Sequence, residues 1–429
     1  MNNTATAAGK DFRVSSMAEN LVGSEIIKLA GEIRELISKG EKIYNFTIGD
    51  FDPKIFSIPD ELKTEIIRAY NENETNYPAA DGIADLRKSV SALIKNWQHL
   101  DYSENEVLIA GGARPLIYAI FQAVVDPGDK VVFPVPSWNN NHYTHLTHAQ
   151  AVLVETTPEN NFLPVADDLR ESLEGAALLA LCSPLNPTGT AFSQSQLEKI
   201  CDLVLEENQR RSPAEKPLYL MYDQIYMALT YGETTHVDPV SLRPELRPYV
   251  IFVDGISKSF AATGVRVGWS FGPKKVIDKM KNILGHIGAW SPKAEQVATA
   301  RFLKNDAAVN SYMKNIKINI EQRLNGFYDG IISLKNEGYN VNAIAPMAAM
   351  YLTVQFNLKG KKTPAGLVIE TTEQMTGYLL NDAKLALVPF SAFGASKNSN
   401  WYRLSVGTAS MLDVNDAIQS LRSALQRLS

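Results

Sequence analysis

Continuously apolar runs alternate along the chain with segments whose apolar residues recur at helical spacing. The apolar runs occupy residues 107–110, 131–135, 176–182, 218–222 and 249–253. A run without alternating polar residues is typical of a strand that is covered on both faces in a parallel sheet. Because helical segments such as 195–207 separate these runs, the pattern predicts an α/β fold in which helices sandwich a mostly parallel central sheet.

The two ends of the chain differ from this central pattern. Residues 1–20 predict a flexible tail, and residues 21–45 predict an amphipathic arm whose helix begins after Ser24. Toward the C-terminus, mainly helical segments surround shorter strand patterns. We therefore expect a large domain over 46–305 and a smaller α+β domain over 306–429, with the arm packing against the smaller one.

Composition excludes several classes of partner. The 429 residues carry a formal net charge of −5, from 42 basic and 47 acidic residues, without a long basic run. Nucleic acid and anionic membrane surfaces are therefore not expected partners. The only cysteines, Cys182 and Cys201, form no C-x-x-C pair, which argues against a disulfide framework or a cysteine-rich zinc site. The N-terminus lacks an apolar core of signal-peptide length, and no run approaches the ~20 apolar residues of a membrane span, so we expect a cytoplasmic protein.

The segment Gly255–Gly268 carries the most specific chemistry. Lys258 lies just after an apolar run and among small residues, where partial desolvation lowers a lysine pKa and frees the amine to attack a carbonyl. Arg266 lies between Gly264 and Gly268, so its guanidinium could reach a phosphate past little side-chain bulk. Alone, each feature is more often a solvated loop lysine or a turn, but their combination after a buried-type strand is much rarer.

This segment resembles the lysine signature of the class I/II aminotransferases, which are pyridoxal phosphate (PLP) enzymes of fold type I. Val265 departs from the usual pattern, in which an aromatic residue or leucine precedes the arginine. The resemblance implies that Lys258 holds PLP as a Schiff base and moves a proton during catalysis. It also implies that Ser257 and Arg266 bind the cofactor phosphate.

Two further apolar runs end in residues that the resemblance assigns to the cofactor. Asp223 closes one run, and a buried carboxylate there needs a cation or donors; the family pairs it with the pyridine nitrogen, whereas a salt bridge or helix cap is the plain alternative. Tyr226 then matches a tyrosine that binds the phenolic oxygen. Asn186, in an Asn-Pro-Thr-Gly motif, matches the asparagine that contacts the same oxygen and the substrate; an ordinary Asx turn is the alternative.

The loop after the run at 107–110 predicts an anion site. Gly112, Ala113 and Arg114 open a helix whose free N–H groups and dipole could hold a phosphate, although glycines before helices are common. Family members that act on acidic substrates often carry lysine, serine or threonine near Ala113, and Arg114 either compensates for its absence or faces solvent. Trp138, just past another run, either stacks on the cofactor ring, as the family implies, or packs in the core.

The resemblance also assigns substrate contacts and a partner. Gly49 matches a glycine that lets the substrate carboxylate approach the backbone, and Arg403 matches the arginine that binds this carboxylate through a bidentate fork. Tyr77 matches a tyrosine that reaches the phosphate of the other subunit, which implies a homodimer with shared active sites. A plain turn, a surface arginine and an exposed loop tyrosine are the respective alternatives. Ala348 stands where the family usually has glycine.

A metal site is not expected. His142, His145 and His148 recur at every third position, but on a helix this spacing spreads the imidazoles around the axis rather than converging them. A second cluster of ligands is also missing from the sequence.

The sequence is thus interpreted as a PLP-dependent aminotransferase. It would move the amino group of an L-amino acid, of aspartate or aromatic type, to a 2-oxo acid such as 2-oxoglutarate. Two alternatives stay open: a PLP-dependent β-lyase, which would use the same residues, and a non-catalytic PLP-binding sensor domain, which is normally preceded by a DNA-binding domain. The sequence does not identify the amino donor.

Overall fold

The structure is a computed structural model that describes residues 14–21 and 25–429. The predicted helix cap Ser24 and most of the predicted tail lie outside these residues. The strands are β1 (Tyr44–Asn45), β2 (Val107–Ala110), β3 (Lys130–Val135), β4 (Gln150–Glu155), β5 (Ala176–Cys182), β6 (Tyr219–Asp223), β7 (Val250–Gly255), β8 (Gly268–Phe271), β9 (Val341–Ala343), β10 (Tyr351–Phe356), β11 (Leu385–Ala386), β12 (Val388–Pro389) and β13 (Trp401–Ser405).

Helices connect most of these strands. They are α1 (Ser16–Glu19), α2 (Glu25–Ser38), α3 (Asp60–Asn71), α4 (Ala84–Gln98), α5 (Ala113–Val124), α6 (Asn140–Leu146), α7 (Ala166–Leu173), α8 (Gln194–Arg210), α9 (Pro239–Leu242), α10 (Ile256–Ser259), α11 (Lys274–Ile287), α12 (Lys293–Leu303), α13 (Asp306–Asn336), α14 (Thr372–Asn381) and α15 (Met411–Gln426). The predicted segment 195–207 falls within α8, which Ser193 caps through a capping box.

The central sheet has seven strands in the order β2-β8-β7-β6-β5-β3-β4. The strands from β7 to β4 pair in parallel, whereas β8 runs antiparallel to both β7 and β2. Every residue of β7 is buried, and so are all but the last of β5. The prediction of a mostly parallel sheet built from doubly covered strands is confirmed.

Alternate residues of each central strand supply two separate cores. In β7, Ile251 and Val253 belong to a cluster that includes residues of α5 and α11, whereas Val250 and Phe252 belong to a larger cluster on the opposite side. This division follows from the two-residue period of a strand. Helices therefore cover both faces of the sheet, and loops border the carboxyl ends of its parallel strands, where ligands bind in such folds.

The C-terminal region builds a second sheet. Its four strands are antiparallel in the order β12-β13-β10-β9, and α13 and α15 pack beside it. Strand β1 pairs in parallel with β11, and Ile33 of α2 packs against Leu380 and Ala386. These contacts are those expected of an arm on a smaller α+β unit, and α13 begins at Asp306; the domain limits themselves stay a prediction.

Within the two described stretches of chain, every helix is too short or too polar to cross a membrane.

Candidate active site

The predicted site residues gather at the carboxyl ends of the central strands. Asp223 is the last residue of β6, Asn186 follows β5 by four residues, and Lys258 follows β7 by three. Neighbouring parallel strands end at the same edge of a sheet, so the fold itself brings these side chains together.

Lys258 is a half-buried amine on the short helix α10. Its Nζ donates a hydrogen bond of 2.6 Å to the backbone carbonyl of Gly49, and it lies 5.9 Å from the ring centroids of Phe51 and Tyr226. Burial lowers the pKa of Lys258 to about 8, with the nearby cationic arginines acting in the same direction and Asp50 opposing them. A substantial fraction of the amine is therefore neutral near pH 8 and can act as a nucleophile.

Asp223 is a half-buried acid without a cationic partner. Burial raises its pKa to about 6, although the Ile225 N–H donates to its Oδ1 at 3.1 Å and favours the ionised form. No lysine or arginine of the described chain forms an ion pair with it. The salt-bridge alternative therefore finds no support, and the carboxylate is left free for a cationic group of a ligand.

Arg403 is the most deeply buried cation of the site. Its guanidinium donates to Asn186 Oδ1 at 3.1 Å and to the Thr47 carbonyl at 2.6 Å, whereas its Nε has no partner. It also lies over the ring of Tyr351 at 4.7 Å and that of Phe393 at 4.9 Å. Because only 2% of the residue is exposed, the surface-arginine alternative is wrong.

Asn186 and Tyr226 are arranged beside this arginine. The Asn186 amide oxygen accepts from Arg403, which leaves its Nδ2 protons to donate elsewhere. The hydroxyl of Tyr226 lies 2.7 Å from that of Tyr351, and burial raises the pKa of Tyr226 well above its ordinary value. Both side chains can therefore act as neutral hydrogen-bond donors.

The predicted anion cradle forms where α5 begins. No side chain of the described residues caps this helix, so the N–H groups that follow Gly112 have no capping acceptor. Arg266 donates to the carbonyls of Gly111 and Thr263, at 2.6 and 2.7 Å. A side chain on Gly112 would overlap the Arg266 guanidinium, and one on Gly268 would meet the Gly112 backbone at 2.6 Å.

This packing explains both glycines and holds Arg266 at the first turn of α5. Ala113 is the first residue of that helix, and Ser257 lies buried on α10. A helix start next to a guanidinium is a favourable place for a phosphate.

Arg114 and Trp138 pair at the exposed side of the site. The Arg114 guanidinium lies 5.3 Å from the Trp138 ring centroid, and Trp138 is tilted against Phe393 at 6.4 Å. Trp138 is half-buried, so it is not a closed core tryptophan. The positive charge of Arg114 contributes to the lowered pKa of Lys258, which indicates that it acts on the same site.

Gly49 and Ala348 are accommodated for different reasons. A Cβ on Gly49 would lie 2.9 Å from the Tyr351 hydroxyl and 3.5 Å from Arg403, so glycine is required for the close approach. Ala348 donates its N–H to the Gly189 carbonyl at 2.9 Å and forms an isolated bridge with Thr230. Alanine in place of the usual glycine therefore leaves an ordered backbone.

Tyr77 is the predicted site residue that the fold does not bring to the others. It is 81% exposed, and its ring contacts Trp290 edge-on at 5.1 Å. None of the hydrogen bonds described for the chain joins it to Lys258 or to the anion cradle.

The histidine series does not form a common site. His142 and His145 lie on α6, whereas His148 follows the helix with a positive φ of 54°. The Nε2 of His145 bonds to the Met17 carbonyl at 2.8 Å. Across residues 14–21 and 25–429, no group of three or more His, Cys, Asp or Glu side chains could hold a metal ion.

Sequence reasoning missed three residues of the site. Asp50 accepts from the Thr263 hydroxyl at 2.7 Å and from the Phe51 N–H at 2.8 Å, and it counteracts the lowered pKa of Lys258. Tyr351 contacts Tyr226 and Arg403, as described above. Asp50 follows the predicted Gly49 directly, and that adjacency was the available signal, whereas the contacts of Thr263 and Tyr351 depend on tertiary packing.

Comparison with known proteins gives matches along most of the chain. A sequence model of the family described as aminotransferase class I and II matches residues 41–421. A probable aspartate/prephenate aminotransferase of Rhizobium leguminosarum bv. phaseoli is 31% identical over 389 residues, covering 90% of this chain and 92% of that protein. An aspartate aminotransferase of Geobacillus stearothermophilus is 28% identical, covering 97% and 98%. The crystal structure of the aspartate aminotransferase of Rhizobium meliloti superposes with a TM-score of 0.88 at 26% identity, covering 97% of this chain and all of that one.

Proposed function

The chain belongs to the class I and II aminotransferases, and on that premise we propose roles for its individual site residues and a class of substrate. The protein is a PLP-dependent aminotransferase of fold type I. The β-lyase and sensor alternatives are not favoured, because the relatives that match the whole chain are named aminotransferases. The observation that carries the residue roles is the half-buried Lys258, whose pKa is lowered by burial and by the nearby cations Arg403, Arg114 and Arg266.

The described residues fit PLP in three places. Asp223 is a half-buried carboxylate without an ion pair, which suits the protonated pyridine nitrogen of the cofactor. The first turn of α5, from Gly112 to Arg114, together with Arg266 and Ser257, offers the N–H groups and the cation that bind a phosphate. Asn186 and Tyr226 offer donors for the phenolic oxygen, and Trp138 offers an aromatic face for the ring.

When bound, PLP supplies an aldehyde that condenses with amines and a ring that accepts electrons from the substrate α-carbon. Lys258 would hold the cofactor through its neutral amine, and it would also carry the proton that leaves the substrate α-carbon. The Gly49 carbonyl, at 2.6 Å from Nζ, orients this amine. Asp223 would pair with the protonated pyridine nitrogen, which favours the electron-accepting form of the ring.

The substrate carboxylate would bind at Arg403. Its Nε lacks a partner and its guanidinium is buried beside Gly49, whose missing side chain leaves room for the approach. We propose aspartate as the amino donor and a 2-oxo acid such as 2-oxoglutarate as the acceptor, because relatives along the whole chain are named aspartate aminotransferases. Arg114 supports an acidic donor, since it forms no ion pair with a described residue and acts electrostatically on Lys258.

A homodimer with shared sites accounts for Tyr77. The tyrosine is 81% exposed in a single chain, yet its neighbour Trp290 borders the anion cradle, because the Trp290 carbonyl is 3.3 Å from a Cβ placed on Gly111. A second copy that covers this face would receive the Tyr77 hydroxyl at its own phosphate. A reducing cytoplasm is the proposed location, and the free thiols Cys182 and Cys201 support it.

Absorbance spectroscopy tests the proposed function directly. The purified protein, loaded with PLP, is scanned before and after addition of aspartate, glutamate, tyrosine or alanine, in parallel with Lys258→Ala. We expect a visible cofactor band that aspartate converts to the amine form and that Lys258→Ala lacks. A 2-oxo acid product with cofactor cycling supports transamination, whereas ammonia and pyruvate from a cysteine conjugate would support the lyase. Absence of covalent PLP in the wild type would overturn the proposal.

A further inference from the structure

Tyr351 lies between the two halves of the site and has no role in the function proposed so far. It is the first residue of β10 and is 1% exposed. Its hydroxyl is close to Tyr226, which the proposed function assigns to the cofactor, and its ring is close to Arg403, which the proposed function assigns to the substrate. One side chain therefore contacts both functional groups.

The hydroxyl contact has a preferred direction. The two tyrosine oxygens are 2.7 Å apart, and each hydroxyl carries one proton. Burial raises the pKa of both tyrosines, so both protons are retained at neutral pH. If Tyr226 donates to the phenolic oxygen of the cofactor, its own oxygen is free to accept only, and Tyr351 must be the donor. Such chains of hydrogen bonds strengthen the terminal donor.

The ring contact follows from the strand register. Thr353 of β10 pairs with Arg403 of β13, and Tyr351 pairs with Ser405. Tyr351 and Arg403 are therefore diagonal neighbours on the same face of the sheet. The Arg403 guanidinium lies 4.7 Å from the Tyr351 ring centroid, within the range of a cation–π interaction.

The position of Tyr351 is also fixed by its backbone. A side chain on Gly189, whose φ is +71°, would overlap the Tyr351 carbonyl, so the Asn-Pro-Thr-Gly turn packs directly on the start of β10. Thr353 donates to the Thr188 carbonyl at 2.7 Å and anchors the same turn. Tyr351 is thus held against the turn that carries Asn186.

We propose that Tyr351 is a positioning residue that couples the cofactor half of the site to the substrate half, its hydroxyl orienting Tyr226 and its ring supporting Arg403. This inference rests on the proposed function. It assigns the two contacts to different steps: the hydroxyl affects the electronic state of the bound cofactor, and the ring affects binding of the substrate carboxylate.

The hydroxyl is tested with Tyr351→Phe, which keeps the ring. Donors to the phenolic oxygen compete for the lone pairs that hold the titrating proton of the bound cofactor, so weakening Tyr226 raises the pH at which that proton is lost. We expect the absorbance titration of the loaded protein to shift upward by about 0.5 to 1 pH unit, since one hydrogen bond is altered. The kcat should fall about 3- to 10-fold, with the KM for the amino donor within about twofold of the wild type.

Two comparisons separate this role from a structural one. Tyr378→Phe removes another buried hydroxyl, one that donates to the Ala424 carbonyl at 2.7 Å, and should leave the absorbance titration unchanged. Tyr226→Phe should shift the titration more than Tyr351→Phe does. Because Tyr351 acts through Tyr226, the double variant should titrate like Tyr226→Phe alone.

The ring is tested with Tyr351→Leu, which should raise the KM for the amino donor about 5- to 30-fold beyond that of Tyr351→Phe. An unshifted absorbance titration in loaded Tyr351→Phe, an equal shift in Tyr378→Phe, or a full additional shift on the Tyr226→Phe background would each overturn the proposal. A wild type that binds PLP and turns over aspartate while Tyr351→Phe behaves normally would refute this inference alone. A wild type that never forms the cofactor band would instead refute the proposed function, and this inference with it.

Discussion

The two edges of the central sheet differ in how their charged side chains are paired. At the amino ends of β3, β5 and β6, the charged side chains pair with one another and with the strand backbone. At the carboxyl ends, Asp223 and Lys258 lie beside Arg403 of the second sheet, and none of the three forms an ion pair with a described residue. The first arrangement is called here the amino-edge network, and the second the carboxyl-edge site.

The amino-edge network is satisfied within the chain. Glu207 accepts from Arg211 at 2.7 and 3.0 Å and from the Gly175 N–H at 3.1 Å. Arg211 also donates to the carbonyls of Lys216 and Ala176. Completing the network, Lys216 forms ion pairs of 2.5 Å with both Asp126 and Asp129.

The carboxyl-edge site differs from the amino-edge network in that its charged groups form no ion pairs with the described residues. Burial lowers the pKa of Lys258 and raises that of Asp223, because desolvation disfavours the charged form of each group. At the amino edge, burial lowers the pKa of Lys216, but its hydrogen bonds to Asp126 and Asp129 more than compensate and raise it. Charges that have partners within the chain therefore serve structure at the amino edge, whereas charges without an ion pair mark the candidate site at the carboxyl edge.

The largest expected effect is the difference in activity between Lys258→Ala at the carboxyl edge and Lys216→Ala at the amino edge. Lys258→Ala should lower the transamination rate by about four orders of magnitude, because it removes both the covalent attachment and the proton carrier. Lys216→Ala should leave kcat unchanged and cost at most about 1 kcal/mol of stability, since its ion pairs are partly exposed. Steady-state assays with aspartate and urea denaturation measure the two quantities. Comparable activity loss in both variants would erase the distinction between the edges.

The second effect concerns the stability of the amino edge. Arg211→Met should lower the free energy of unfolding by about 1 to 3 kcal/mol, because it removes two hydrogen bonds from the buried Glu207 and leaves it only the exposed Arg210, at 3.1 Å, as a cation. The double variant Arg211→Met/Glu207→Gln should recover part of this loss, since no uncompensated charge remains. Urea denaturation of the PLP-free protein gives both values. If Arg211→Met were harmless, the network would not be structural.

The sequence predicts the carboxyl-edge site of this contrast but not the amino-edge network. Asp223 and Lys258 end or follow continuously apolar runs, and an ionisable residue at that place is conspicuous in any α/β pattern. Glu207 and Arg211 are charged residues at the end of an ordinary amphipathic helix. Their burial arises from the packing of α8 beneath β5 and β6, which no local pattern encodes.

The third effect distinguishes the edges by pH. The pKa of Asp223 is about 6 in the folded protein and 3.8 ordinarily, so the unfolded chain releases this proton first and wild-type stability is lost as the pH rises from about 3.8 through 6. Asp223→Asn does not titrate. At pH 7.5 the PLP-free variant should therefore be more stable than the wild type, by at most about 3 kcal/mol.

The difference should shrink as the pH falls below 6, and this can be followed by urea denaturation at pH 7.5, 6 and 5. Glu207→Gln is the matched control at the opposite edge. It gives up hydrogen bonds that the chain already satisfies, so we expect it to destabilise the protein at all three pH values. A destabilised Asp223→Asn at pH 7.5 would mean that the chain itself neutralises Asp223.

The residues that sequence reasoning missed have a common physical origin. Tyr351 and Thr263 each contact a site residue that is distant in the chain, Tyr226 and Asp50 respectively. Tyr351 continues an apolar strand pattern, and Thr263 lies in the Gly255–Gly268 segment without any local signal for its contact with Asp50, so only the packed structure identifies these contacts. Tyr77 is the opposite case: its motif was visible in the sequence, but it is 81% exposed in the single chain, and its role in a shared site stays a prediction.

The smallest effect tests how far the carboxylate of Asp50 controls the pKa of Lys258. Asp50 opposes the lowered pKa of Lys258, so Asp50→Asn should lower that pKa below its present value of about 8, by about half a unit. The asparagine Oδ1 can still accept from Thr263 and Phe51, so the change isolates the charge.

The measurement is the pH dependence of the rate at which PLP-free protein takes up PLP covalently, and the midpoint of this dependence should move to lower pH. Thr263→Val removes a hydrogen bond but keeps the carboxylate, and its midpoint should stay in place. An upward movement in Asp50→Asn would show that the hydrogen bonds of Asp50, rather than its charge, govern Lys258.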